Sequence, residues 1–201
     1  MSNTTNYNKD FYPLRLPHVL AVVILSGLFV SFIYLTRENI VFYFRDPAAT
    51  FGFSPFAGLI SNVGIFALFA AVAISIFSSF HTENDKVLLS CSGVFTTLIA
   101  IDDFFMLHED IIPRKIGISE SYVYIIYGIL AATILICCRR SISGKEHIGL
   151  YVSASFLAFS GIVDVIIDHV EIEDTFKFLG VTVWAAYWIR RSHCSIAEQL
   201  R

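Results

Sequence analysis

FSPFAGLISNVGIFALFAAVAISIFSSF, residues 53–80, contains no Asp, Glu, Lys or Arg at all. A bilayer's hydrocarbon core, about 30 Å thick, needs roughly 20 apolar residues in a helix. This stretch is long enough, and its apolar residues run on without the alternation a membrane strand would need. It predicts a transmembrane helix. Five more stretches read the same way, at about 18–36, 87–107, 121–138, 148–167 and 175–189. The fold class they predict is all-α: a polytopic bundle of about six transmembrane helices.

Composition agrees. The 201 residues are 56% hydrophobic and 15% charged, with a mean hydropathy of +0.68. Soluble domains average roughly 45–50% apolar and about 25% charged. The expectation is one membrane domain over 1–201, with a polar tail at 1–13 and a basic tail at 190–201. The residues before Leu14 lack the apolar core of a cleavable signal peptide, so the first span is expected to stay as an anchor. No basic stripe suits nucleic acid. Membrane lipids are the expected surroundings.

Charge sets an expected orientation. With the N-terminus cytoplasmic, Lys9, Arg15, Lys86, Arg139, Arg140, Lys145, Arg190, Arg191 and Arg201 lie inside. Arg37, Arg45, Arg114, Lys115 and Lys177 lie outside. This is the bias of cytoplasmic loops, and it places both termini in the cytoplasm. The membrane it suggests is a bacterial inner (plasma) membrane. The four cysteines avoid the outer loops, as reduced structural thiols would. Trp184, Tyr187 and Trp188 read as an inner interfacial belt.

Acidic residues run the other way, and they concentrate in two clusters that also carry histidine. One is Asp102-Asp103-Phe-Phe-Met-Leu-His108-Glu109-Asp110; the other is Asp164-Val-Ile-Ile-Asp168-His169-Val-Glu171-Ile-Glu173-Asp174. A carboxylate inside a hydrophobic span is costly and marks function. Mixed nitrogen and oxygen donors suit a divalent metal, with zinc, iron and manganese not distinguished. Asp103, His108, Asp164, Asp168 and His169 are the expected ligands. Asp102 and Glu109 are the candidate general bases. Glu120, Tyr124, Tyr127, Asp174 and Lys177 are expected around the same vestibule. Helical continuity would put Asp102 and Glu109 on one face, and Asp164, Asp168 and Glu171 on one stripe.

Phe80-His81 followed by Asp102-Asp103-Phe-Phe-Met resembles the alkaline ceramidase and adiponectin-receptor superfamily, whose seven-helix members hold zinc with three histidines. The resemblance implies zinc chemistry at a membrane-embedded site. It covers a short part of the chain: no paired histidines follow near the C-terminus, and His81 falls on the other side in this topology. The function expected is a divalent-metal-dependent membrane hydrolase acting on a lipid or lipid-linked substrate, its site facing the periplasm or exterior. The alternatives are a cation channel or transporter, and a metal-binding sensor or accessory subunit.

Overall fold

A computed structural model describes residues 16–36, 47–139, 142, 148–167 and 170–199. The chain divides into two compact units, Met1–Ala57 and Gly58–Arg201. In the first, α1 spans Leu16–Thr36 and α2 spans Pro47–Phe51. The second contains α3 (Leu59–Ser79), α4 (Lys86–Phe105), a π-helical turn (Leu107–Ile111) and α5 (Ile112–Ile116). It continues with α6 (Glu120–Cys137), α7 (Ile148–Ile167) and α8 (Val170–Gln199). The described residues contain no strand. A helix occupies each of the six apolar stretches, and α3, α4 and α6 are long and apolar enough to cross a membrane.

The boundaries differ from the sequence reading for local reasons. Gly58, at φ 69°, takes the left-handed conformation that glycine tolerates, so α3 starts only at Leu59. Met106, also left-handed, stops α4 at Phe105. The last helix runs ten residues past the expected end at 189, to Gln199. Its polar tail carries Ser192 and Ser195, both buried, so that tail packs as part of the bundle.

Three neighbours surround α8. It runs parallel to α3, with Gly64 beside Phe178 and Val181 at one end and Ser75 near Ser192 at the other. Against α4 it is antiparallel, as Lys177–Asp103, Trp184–Thr96 and Arg191–Asp85 show in turn. It is antiparallel to α7 as well, with Ser153 Oγ donating to the Gly180 carbonyl at 2.8 Å. A Cβ on Gly180 would stand 2.7 Å from Leu157 Cγ and 3.1 Å from its backbone nitrogen. Glycine at that position sets the α7–α8 separation.

In lipid, helix association draws little from the hydrophobic effect, since the tails are as apolar as leucine; packing and interhelical hydrogen bonds carry it. Leu68, Leu88, Leu89, Val163 and Trp188 fill the interior, while Phe66, Phe77, Ile136 and Ile166 face outward. The indole N–H of Trp184 donates to Thr96 Oγ1 at 2.9 Å. Trp184 and Trp188 are therefore core residues and do not form the interfacial belt expected of them. The two rings pack edge to face, 5.6 Å apart.

Candidate functional site

At one end of the second unit the backbone departs from regular helix. Met106 sits at φ 48°, the only non-glycine residue with positive φ among the described residues. The π turn follows, closed by Ile111 N–H donating to the Met106 carbonyl at 3.3 Å. Pro113 has no N–H to offer the carbonyl four residues back, so the ordinary ladder cannot resume through it. π turns and left-handed residues cluster where function needs an unusual side-chain direction.

The consequence is local and specific. In a continuous helix, residues six apart point to different faces. Here His108 folds back onto Asp102. Its backbone N–H donates to Asp102 Oδ1 at 3.0 Å, and its Nδ1 bonds Asp102 Oδ2. Both residues are 3% exposed. The expectation of a continuous helix with Asp102 and Glu109 on one face is corrected by this turn. The Tyr127 hydroxyl lies within electrostatic reach of Asp102. The two Asp102 oxygens are thus engaged in holding His108, whereas the Glu109 side chain is 43% exposed.

With Nδ1 held, the other ring nitrogen of His108 faces two carboxylates. Nε2 stands 3.5 Å from Glu109 Oε1 and 3.6 Å from Glu120 Oε1. The Tyr124 ring lies 5.3 Å from the imidazole, centroid to centroid. Its hydroxyl is 3.0 Å from Glu120 Oε1 and 3.2 Å from Asp164 Oδ2. One hydroxyl carries one proton. That proton is divided between the two carboxylates, which the hydroxyl therefore ties together. Lys177 completes the group, with Nζ 2.6 Å from Asp103 and 3.5 Å from Glu109.

The sequence-derived residues therefore sort themselves. Asp102, Asp103, His108, Glu109, Glu120, Tyr124, Tyr127, Asp164 and Lys177 form one connected network. Asp174, exposed, lines a crevice with Asp103 and Lys177. Asp110 turns away to pair with Arg114 at 2.7 Å. Asp168 and His169 lie outside the described residues. Because α7 is described to Ile167 and α8 from Val170, Glu171 belongs to α8 and the expected stripe from Asp164 is not drawn on one helix. Ser119 takes the N-cap position of α6, yet its hydroxyl makes no capping bond.

Burial alone would disfavour a charged His108, and Lys177 opposes it too. The bond to Asp102 and the charges of Asp102 and Glu109 outweigh these, raising the imidazole above its ordinary 6.5. Desolvation, reinforced by Asp164, pushes Glu173 up from 4.5 to about 7. Both groups bind protons more tightly folded than unfolded, so stability falls as pH rises. The Glu173 contribution is complete below 4.5 and lost through about 7; that of His108 is complete below 6.5 and lost through its raised value. Melting in detergent should therefore occur at higher temperature at pH 5 than at pH 8. Glu173→Gln should remove the part lost by about pH 7. A flat profile in the wild type would count against these assignments.

A second polar centre, missed in the sequence, lies at the opposite end. Asp85 is buried, with Arg191 Nη2 at 2.6 Å and Ser195 Oγ donating to the same carboxylate. The signal was present: Asp85, Ser92, Thr96 and Asp103 recur at helical spacing along α4. It was hidden by ending the last helix before Arg191.

Among the described residues no three His, Cys, Asp or Glu side chains converge as a ready metal cage. Cys91, Cys137, Cys138 and Cys194 are all free thiols. The molecule is thus an all-helical protein with three helices able to cross a membrane and a buried histidine–carboxylate network at one end. Residues 17–190 match the family model described as "Domain of unknown function (DUF8692)", and the chain belongs to that family. No curated protein and no solved structure matches it.

Proposed function

We propose that the chain is a multi-pass membrane enzyme, a divalent-metal-dependent hydrolase acting on a lipid or lipid-linked substrate at the His108 cluster. It crosses a bacterial inner membrane six times in this reading, with both termini cytoplasmic and the cluster facing the periplasm or exterior. The observation that carries the proposal is the fixed imidazole: Asp102 holds Nδ1 and leaves Nε2 facing Glu109 and Glu120. A carboxylate behind a histidine is the usual support of a metal ligand. Two donors on one tetrahedral ion with bonds of about 2.1 Å stand roughly 3.4 Å apart. The 3.6 Å between His108 Nε2 and Glu120 Oε1 fits that spacing.

His108, with Glu120 and Asp164 across Tyr124, would hold the ion, and Asp168 and His169 are proposed to supply the donors that make a cage. The ion contributes Lewis acidity. The chain's own residues do the rest. Glu109, with its side chain 43% exposed and within 3.5 Å of Lys177, takes up a proton as general base. Tyr124 links Glu120 and Asp164 and keeps them facing one point.

Elemental analysis of purified wild type beside His108→Ala tests the metal. The expected result is a stoichiometric divalent ion in the wild type, lost in the variant, with hydrolysis of a labelled lipid lost in parallel. Equal metal content and unchanged turnover would overturn the reading. The buried Asp85–Arg191 pair favours a second reading, a cation transporter, since ion pairs then stand at both ends of the α4–α8 interface. That reading requires cation flux in proteoliposomes, which the enzyme reading does not.

A further inference from the structure

Among the described residues, three buried side-chain atoms lack a hydrogen-bond partner: Ser78 Oγ, Trp188 Nε1 and Arg191 Nε. None belongs to the His108 network; all three lie toward the Asp85 end of the bundle. The contact between Ser75 and Ser192, 3.5 Å from hydroxyl to hydroxyl, sets the register of α3 and α8. Three residues further along each helix, Ser78 stands level with Ser195, whose hydroxyl donates to Asp85. Arg191 reaches the same carboxylate. Trp188 lies one turn before Ser192 on the same face of α8. The orphaned groups therefore gather around one buried ion pair.

We propose that internal waters enter the α3–α4–α8 interface here, from Asp85 to the level of Trp188, and bind these three groups. Buried polar groups are nearly always paired, with protein or with ordered water. Their chemistry says which partner fits. Trp and Arg side chains only donate, so two of the three need an acceptor, while the Ser78 hydroxyl can donate or accept. An anion would accept, but Asp85 already neutralises Arg191, and a second negative charge would be buried without compensation. A cation would meet donor groups and a guanidinium. Water is neutral, accepts from both N–H groups and gives its own protons to the Asp85 carboxylate or the serine hydroxyls. It needs about two to four polar partners, and Ser75, Ser192 and Ser195 stand beside the orphaned groups.

Access and depth agree with this. Asp85 sits between Asn84 and Lys86, both exposed, so solvent reaches its immediate chain neighbours. Trp188 is seven residues from Ser195, or about 10 Å along the helix axis. That is roughly a third of a hydrocarbon core about 30 Å thick. A cavity of about 70 Å³ borders Trp188 and Ser92, and a single water needs roughly 10–15 Å³ by the same measure. Space therefore adjoins the innermost of the three groups. The inlet opens at the end opposite His108 and requires nothing of the hydrolase reading.

The chain has two tryptophans, which supply an internal comparison. Trp184 donates its indole N–H to Thr96, whereas that of Trp188 has no partner among the described residues. The test is NMR of the full chain, carrying isotope-labelled tryptophan, in phosphatidylglycerol nanodiscs. Trp188→Phe or Trp184→Phe identifies the two indole signals, so one misfolded variant does not block the assignment. In the wild type, the Trp188 indole should receive magnetisation from water. Its proton should exchange into heavy water about tenfold faster than that of Trp184. Burial alone gives the reverse order, since Trp188 is 2% exposed and Trp184 9%. Added sodium phosphate should move neither signal. Equal or slower exchange at Trp188, magnetisation from lipid chains in place of water, or a Trp188 shift on adding phosphate would overturn the proposal. Neither metal nor turnover enters the measurement, so its failure is distinguishable from failure of the hydrolase reading.

Discussion

Replacing Lys177 by methionine should cost the helical unit about 3–5 kcal/mol, the usual penalty for stranding one partner of a buried ion pair. Asp103 would be that partner. Its side chain is 10% exposed, and the ammonium at 2.6 Å is its compensating charge. The ammonium also stands 3.5 Å from Glu109, so its removal disturbs two carboxylates at once. The double substitution Lys177→Met with Asp103→Leu should recover most of the loss, because an apolar pair needs no compensation. Reversible unfolding in mixed micelles would measure all three variants. Equal destabilisation of single and double variants would mean that Asp103 has another partner.

Asp102→Asn should lower turnover or metal affinity about 10–100-fold, the typical effect of removing a carboxylate that orients a ligating histidine. It should also cost about 1.5–3 kcal/mol, the range for a hydrogen bond to a charged group. Asp102 is a positioning residue, so the discriminating readout is the imidazole itself. Its titration in the metal-stripped protein, followed by NMR on ring-labelled histidine, should move downward once the carboxylate that raises it is gone. Asp102→Glu should restore part of both quantities. An unchanged His108 titration in Asp102→Asn would remove the assigned role, even if the variant were unstable.

Hydropathy made the helices legible because each apolar run is unbroken, and every such run holds a helix. Their ends were less legible. Gly58, Met106 and the buried tail of α8 depend on backbone conformation and packing that apolarity does not encode. The site was legible as a list of residues and not as an arrangement. Carboxylates in apolar runs announced Asp102, Asp103 and Asp164, and proximity in sequence added His108 and Glu109. The pairing of Asp102 with His108 could not be read from helical spacing, because a left-handed residue and a π turn intervene. Lys177 was named as a vestibule residue, yet its bond to Asp103 depends on the antiparallel register of α4 and α8. Asp85 and Arg191 escaped notice because both sat where loops were expected, although the register that joins Asp103 to Lys177 also joins them.

The left-handed Met106 and the turn after it make chain length, more than residue identity, the quantity that fixes this centre. One residue added or removed between Phe105 and Ile112 would swing the imidazole by about 100° around the helix axis. Substitutions at Leu107 or Ile111 leave that count intact. The segment therefore works as a spacer of fixed length, and a relative that shares every acidic residue but not the spacing would present its histidine to the lipid.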